Sequence, residues 1–235
     1  LRKEGGVHIP DGFVNIGTAV VTYAGSAGAI AYSVRRTNQS LKEREVPLMG
    51  VMAAFIFAAQ MINFKVAGGT SGHLLGGALA AILLGPSAGT LVITAVLAVQ
   101  AFIFQDGGLM ALGANIFNMA VVGVWSGYLI YRLACKLFPG PKGLWAAGFA
   151  AAWCSVVLAS LVAAVELAIS GMAPLGVVLP AMGLVHMLIG VGEGLITTSV
   201  LAFLSSTRKD LLEWHAVRDV VHGAAAASVG TAAAA

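Results

Sequence analysis

The sequence predicts an all-α, polytopic membrane protein with about seven transmembrane helices, and three observations predict it. Of its 235 residues, 59% are hydrophobic and only 10% charged, whereas a soluble domain carries about 25% charged residues. The apolar residues fall in runs, most of them close to the roughly 20 residues that a helix needs to cross a bilayer. The basic residues gather in the segments between runs, as membrane topology demands. Such a chain cannot cover a globule with polar surface. Its net charge of +3 gives no reason to expect a nucleic-acid partner.

The runs place seven spans at 13–34, 47–64, 71–84, 87–105, 109–134, 144–169 and 181–204. Before the first, Leu1–Gly6 is polar and lacks the small-residue pattern of a cleavable signal. The polar stretch His8-Ile9-Pro10-Asp11-Gly12 then leads into span one; proline and glycine there read as a turn. Span two carries Gly50, Ala54 and Ala58 at four-residue spacing, a stripe that lets a helix of this chain or of a partner approach closely. Span three is short, about 14 residues or about 21 Å at helical rise. It follows the glycine-rich segment Val66–Gly72. Irregular backbone at membrane depth is tolerated only where protein or a cavity covers it, so a site is expected there.

Spans four and five are linked by a region dense in amides and glycines, Gln100–Gly108 and Gly113–Asn118. Asn115 and Asn118 share one helical face, which must point into the bundle to find partners. They suit interhelical bonding, or hydrogen bonds that orient imidazoles around a metal. Direct ligation is disfavoured because amides are poor ligands for late first-row metals. Span six holds Glu166; span seven holds His186 and Glu193, seven apart on one face. Ionisable residues in such spans are functional candidates by default, with a structural hydrogen-bonding role weighed above a proton relay. Cys135 and Cys154, the two cysteines, sit at or within apolar runs and imply neither a disulfide framework nor a cysteine-rich metal site. The tail 205–235 begins charged and ends alanine-rich. It reads as a cytoplasmic helix that frays, or as the start of another hydrophobic segment.

Arg35, Arg36, Lys42 and Arg44, then Arg132, Lys136 and Lys142, then Arg208, Lys209 and Arg218 fall on one side when the spans number seven. The positive-inside rule makes that side cytoplasmic. His8 and the 65–72 loop therefore face outward, together with His73. Two outward imidazoles on a small cavity could hold a transition metal; alternatively one is interfacial and the other packs. Gly69-Thr70-Ser71-Gly72 also fits the short serine motif of rhomboid proteases, with Ser71 as nucleophile and His186 as base. That reading leaves His8 and His73 unexplained.

Four stretches in order, H-I-P-D-G at 8–12, G-G-T-S-G-H at 68–73, Q-D-G-G-L-M-A-L-G-A-N-I-F-N-M-A at 105–120 and H-M-L-I-G-V-G-E-G-L-I-T at 186–197, resemble the CbiM/NikM family. These are the substrate-binding (S) subunits of energy-coupling-factor (ECF) transporters for cobalt and nickel, and the resemblance covers about residues 7–210. It implies an S-component-like bundle with an extra N-terminal helix in a prokaryotic cytoplasmic (inner) membrane, N-terminus outside and C-terminus cytoplasmic. It implies a metal held by the α-amino group of the first residue, the backbone nitrogen and imidazole of the second, and one loop imidazole. Carried over, these are Val7, His8 and His73, with Asp11, Ser71, Asn115 and Asn118 around them. Amine and amide must lose protons to bind, so binding weakens as pH falls. Nickel and cobalt are transported rather than kept as cofactors, in service of cobalamin biosynthesis or nickel supply. The implied partners are a membrane-embedded coupling (T) subunit, met by Gly50, Ala54 and Ala58, two ATP-binding subunits and a small auxiliary membrane subunit. The chain has no G-x-x-x-x-G-K-[ST] run, so ATP hydrolysis is left to those partners. A stand-alone ion-coupled carrier using Glu166, Glu193 and His186 is the rival transport reading.

Family members begin Met-His, whereas here six residues precede Val7. Val and Leu are what GTG and TTG or CTG start codons become when translated internally, and Lys3–Gly6 can be encoded by a ribosome-binding sequence. The expectation is that 1–6 is a mis-annotated or removed extension, 7–205 the metal-binding transport domain and 206–235 a cytoplasmic tail.

Overall fold

The computed structural model describes residues 8–40, 46–66 and 70–212. Val7, the six residues before it and the tail beyond Leu212 lie outside that set. The helices are α1 (Ile16–Ser40), α2 (Val46–Gln60), α3 (Gly77–Leu84), α4 (Pro86–Ile103), α5 (Leu112–Ile116), α6 (Val124–Leu137), α7 (Pro141–Ile169), α8 (Leu175–Thr207) and the short α9 (Lys209–Leu212). A π-helical segment, Phe117–Gly123, fuses α5 and α6 into one run, Leu112–Leu137. Counted that way, the seven expected spans correspond to seven helical segments. Four of them are long and apolar enough to cross a membrane: α4, the fused run, α7 and α8.

The third span differs from its sequence-based outline. His73 does not open a helix. Asn63–Val66 (β1) and Thr70–His73 (β2) form an antiparallel hairpin in which Asn63 pairs with His73. Only eight residues, Gly77–Leu84, then form α3, and all eight are buried. A helix that short cannot cross a bilayer; it serves as the central post, packed by α4, α6 and α7. The seventh helix starts at Leu175 rather than at 181 and keeps Pro180 inside it. Pro180 lies beyond the first turn, so it removes the bond that an N–H there would give to the Gly176 carbonyl.

Punctuation follows residue chemistry. Pro86 and Pro141 open α4 and α7, positions where the missing N–H would have had no partner anyway. Gly171, at φ +77°, turns the chain out of α7. The π-helical segment breaks the regular ladder, and hydroxyls from neighbouring helices meet carbonyls there. Thr90 Oγ1 donates to the Ala120 carbonyl (3.0 Å) and Ser155 Oγ to that of Gly123 (2.8 Å). Such partners are required where no water reaches.

α7 and α8 pack antiparallel, since Phe149 meets Gly194 and Trp153 meets Gly190. A Cβ at Gly194 would stand 2.6 Å from the Phe149 ring. Between lipid-embedded helices this close approach is the main source of cohesion. Gly194→Leu is therefore expected to destabilise the protein by about 1–3 kcal/mol through overpacking. Gly192→Leu, where a Cβ meets nothing within 4 Å, should be tolerated. Thermal unfolding in detergent compares the two.

Candidate metal centre

Two imidazoles that are 65 residues apart in sequence meet inside one end of the bundle. The His8 and His73 rings lie edge to face, centroids 4.8 Å apart, and each residue is only 6% exposed. His8 arrives on an extended arm ahead of α1; His73 ends β2. They line a cavity of about 80 Å³ with Asn115, Asn118, Met182 and His186. That space takes a few waters or an ion, far below the ~300 Å³ lower bound for organic-ligand pockets.

The arm is held by backbone contacts. Ile9 N–H donates to Asn115 Oδ1 (3.0 Å), and Asn115 Nδ2 donates back to the Ile9 carbonyl (3.1 Å). That carbonyl also accepts from Gly108 N–H (2.9 Å). Asp11 Oδ1 accepts from Met110 N–H (2.7 Å). Asp11 thus ties the arm to the 107–110 turn by a bond to backbone rather than to an imidazole. The turn needs its glycines: Gly107 sits at φ +95° with a Cβ position 3.0 Å from the Cβ of His8, and a Cβ at Gly108 would fall inside Asp11.

The ring nitrogens divide sharply. His8 Nε2 lies 2.9 Å from Gln100 Oε1, while His8 Nδ1 is buried with no hydrogen-bond partner. His73 Nδ1 lies 2.9 Å from the Leu74 carbonyl. A carbonyl only accepts, so Nδ1 carries the proton and Nε2 keeps the lone pair. Burial lowers the His8 pKa from 6.5 to about 4, against a smaller upward pull from Gln100. Burial, then the neighbouring His8 ring, lowers that of His73 to about 3. Both rings are neutral at ordinary pH, as a metal ligand must be.

The remaining sequence candidates fall around this pair. Asn118 lines the cavity and donates through Nδ2 to Glu166 Oε2 (2.6 Å). His186 also lines it, with Nδ1 2.7 Å from the Met182 carbonyl of its own helix. Glu193 accepts from Leu75 N–H (2.5 Å) and Gly76 N–H (2.9 Å), pinning the chain just after His73. The Ser71 side chain lies outside the described set, as does Val7. Gln60, fully buried on α2, was not singled out by the sequence reading, although it bonds the Leu75 carbonyl through Nε2 (2.8 Å) and Gln100 through Oε1 (3.0 Å). An amide in an apolar run was the available signal.

Among the described residues no three His, Cys, Asp or Glu side chains converge as a ligand set. The fold and cavity define a polytopic membrane protein with a small pocket lined in part by imidazole and amide side chains. The chain belongs to the CbiM family, described as the cobalt uptake substrate-specific transmembrane region, whose model matches residues 8–211. A chain of Archaeoglobus fulgidus provisionally named fused nickel transport protein NikMN is 44% identical over 209 residues, 88% of this chain and 68% of that one. The fused nickel transport protein NikMN of Rhodobacter capsulatus is 35% identical over 222 residues, 88% of this chain and 64% of that longer one. The cobalt transport protein CbiM 2 of Pelobacter propionicus is 33% identical, covering 87% and 94%. A crystal structure of a truncated transition metal transporter superposes with a TM-score of 0.80 at 32% identity, covering 85% of this chain and 98% of that one. The chain is thus a membrane protein of a cobalt and nickel transport family, which places it among transporters rather than proteases.

Because burial favours the neutral imidazole, lowering the pH through 6.5 should leave both rings uncharged, with protons gained only below about pH 5. Imidazole nitrogen shifts of metal-free, ¹⁵N-histidine-labelled protein test this. A midpoint near 6.5 would mean that water reaches the rings.

Proposed function

We propose that this chain is the capture subunit for ATP-driven uptake of divalent nickel or cobalt, binding the ion at the outer face through His8 Nδ1 and His73 Nε2. The observation that carries the reading is the buried His8 Nδ1 without a partner, in a ring that sits against His73. A buried polar atom left unsatisfied is costly, and a cation in the cavity would relieve it. Neutral nitrogen donors select late first-row metals over magnesium or calcium.

Two imidazoles do not fill a coordination sphere. The reading completes it with the His8 backbone nitrogen and the α-amino group of residue 7 in a chain that begins there. Nδ1, not Nε2, is the nitrogen of His8 able to close a small chelate ring with its own backbone nitrogen. Asn115, Asn118 and Asp11 hold the surroundings, with Ser71 assigned there by resemblance alone. Residues 1–6 and 206–235 are then an extension and a tail outside the transport domain.

Metal release requires partners: a membrane coupling subunit and ATP-binding subunits, since this chain has no nucleotide-binding loop of its own. Gly50, Ala54 and Ala58 are exposed along one face of α2, a surface suited to such a helix partner. Arg35, Arg36, Lys136 and Arg208 fall at the ends of α1, α6 and α8 remote from His8 and His186 in sequence, which by the positive-inside rule supports a site facing outward from the cytoplasm of a prokaryotic inner membrane.

With a free terminus at residue 7, His8→Ala and His73→Ala are expected to lower nickel and cobalt affinity more than about 100-fold, since even outer-shell changes cost 10–100-fold. Isothermal titration against the parent, beside a chain that starts at residue 1, makes the comparison; unchanged affinity in both variants overturns the reading. Ala54→Trp should lower nickel uptake by cells that supply the coupling proteins while leaving metal binding intact. Lost binding with an intact complex would instead place α2 at the site.

A further inference from the structure

The two imidazoles are joined by more than ring contact. From His8 Nε2 a chain of buried side-chain bonds runs to Gln100 Oε1 (2.9 Å), from Gln100 Nε2 to Gln60 Oε1 (3.0 Å), and from Gln60 Nε2 to the Leu75 carbonyl (2.8 Å). Gln60 and Gln100 are both 0% exposed, so no solvent competes. The chain starts at one ligand candidate and ends two residues after the other.

This relay has a direction, and only its far end is fixed by covalent structure. A glutamine amide can be turned either way, so its orientation follows from its neighbours. The Leu75 carbonyl can only accept. Gln60 must therefore present its NH₂ there and its oxygen to Gln100. Gln100 must donate to that oxygen and so turns its own oxygen to His8. Facing an acceptor, His8 must carry its proton on Nε2, which leaves the lone pair on Nδ1. Reversing any amide would set oxygen against oxygen or NH₂ against NH₂ in a dry interior, at the cost of unmet buried groups.

We propose that Gln60 and Gln100 are positioning residues that transmit the polarity of the Leu75 carbonyl to His8 and so fix which of its nitrogens is offered to the ion. The short turn after β2 thereby governs both rings. Leu74 sets the His73 tautomer directly through its carbonyl, and Leu75 sets that of His8 through two amides. Glu193 holds the turn by accepting from Leu75 and Gly76 N–H, so α8 anchors the chain of bonds at the end remote from His8. Its consequence for metal affinity rests on the capture reading above; its consequence for the tautomer does not.

The test reads the imidazole nitrogen shifts of full-length, metal-free protein labelled with ¹⁵N-histidine, with the His8 signal assigned by its loss in His8→Ala. The parent is expected to show His8 protonated on Nε2 alone. Gln60→Leu, which touches neither imidazole in the relay, should yield a mixture of both tautomers and lower nickel affinity about 10–100-fold. Gln60→Glu, read at a pH where that buried carboxyl group is protonated, should restore the parent spectrum, since its O–H donates to the Leu75 carbonyl and its other oxygen still faces Gln100. His8 protonated on Nδ1 in the parent overturns the proposal without any variant. So does an unchanged tautomer in Gln60→Leu, or equal loss in Gln60→Glu. If the tautomer responds as expected but His8→Ala binds nickel like the parent, the relay stands and the capture reading falls.

Discussion

The structure depends on one constraint: a non-helical arm enters a helical bundle, and the backbone polar groups it buries must be met by protein. A helix satisfies its own backbone; an arm cannot. Ile9 shows the solution. Its N–H and C=O are taken together by the Asn115 side chain, an amide pairing with an amide, and its carbonyl takes a second bond from Gly108. Asn115 lies just before the π-helical segment, and the 107–110 turn is stripped of side chains where the arm lies on it. Removing Cβ atoms there and adding an amide opposite are two parts of one arrangement, which seats His8 against His73.

The same constraint explains the architecture below the arm. α3 is too short to span and is wholly buried, so the hairpin that precedes it brings strand and turn backbone into the interior. Glu193 and Gln60 satisfy that backbone at Leu75 and Gly76. A carboxyl group on a membrane helix is costly alone but accepts two N–H bonds here, a use consistent with structural anchoring. α7 and α8 keep their glycines for mutual contact and turn large apolar residues such as Leu188 and Leu195 outward, where lipid can cover them.

Much of this was legible in the sequence, because the apolar runs are long and hydropathy carries most of the information in a membrane helix. Each of the seven helical segments overlaps an expected span, with ends up to six residues apart at α1, α3 and α8, and the order of the four motifs points to the family. The hairpin was not legible: a four-residue strand pair flanking glycines has no periodicity to detect, so His73 was read as a helix start. Asn115 and Asn118 were rightly turned inward, but their distinct partners, the Ile9 backbone and Glu166, depend on tertiary placement. Gln60 was not legible either: a single amide at the end of an apolar run looks like an interfacial residue until α4 brings Gln100 beside it.

In the proposed capture role, the way the carboxyl groups are used bears on what kind of ion the cavity accepts. Glu193 is occupied by two backbone N–H groups and Asp11 Oδ1 accepts from Met110 N–H, while Glu166 accepts from Asn118 through Oε2 alone. The groups that line the cavity are imidazoles, amides, the Ser160 hydroxyl, the thioethers of Met119 and Met182, and aliphatic side chains. A hard cation such as magnesium, which prefers oxygen and keeps its waters, gains little from such a lining. An ion with strong affinity for nitrogen can replace its hydration shell there, and burial keeps protons from competing for the two rings. Selectivity on this reading comes from presenting imidazoles, while the turn after β2 engages the Glu193 carboxyl group through the Leu75 and Gly76 N–H groups.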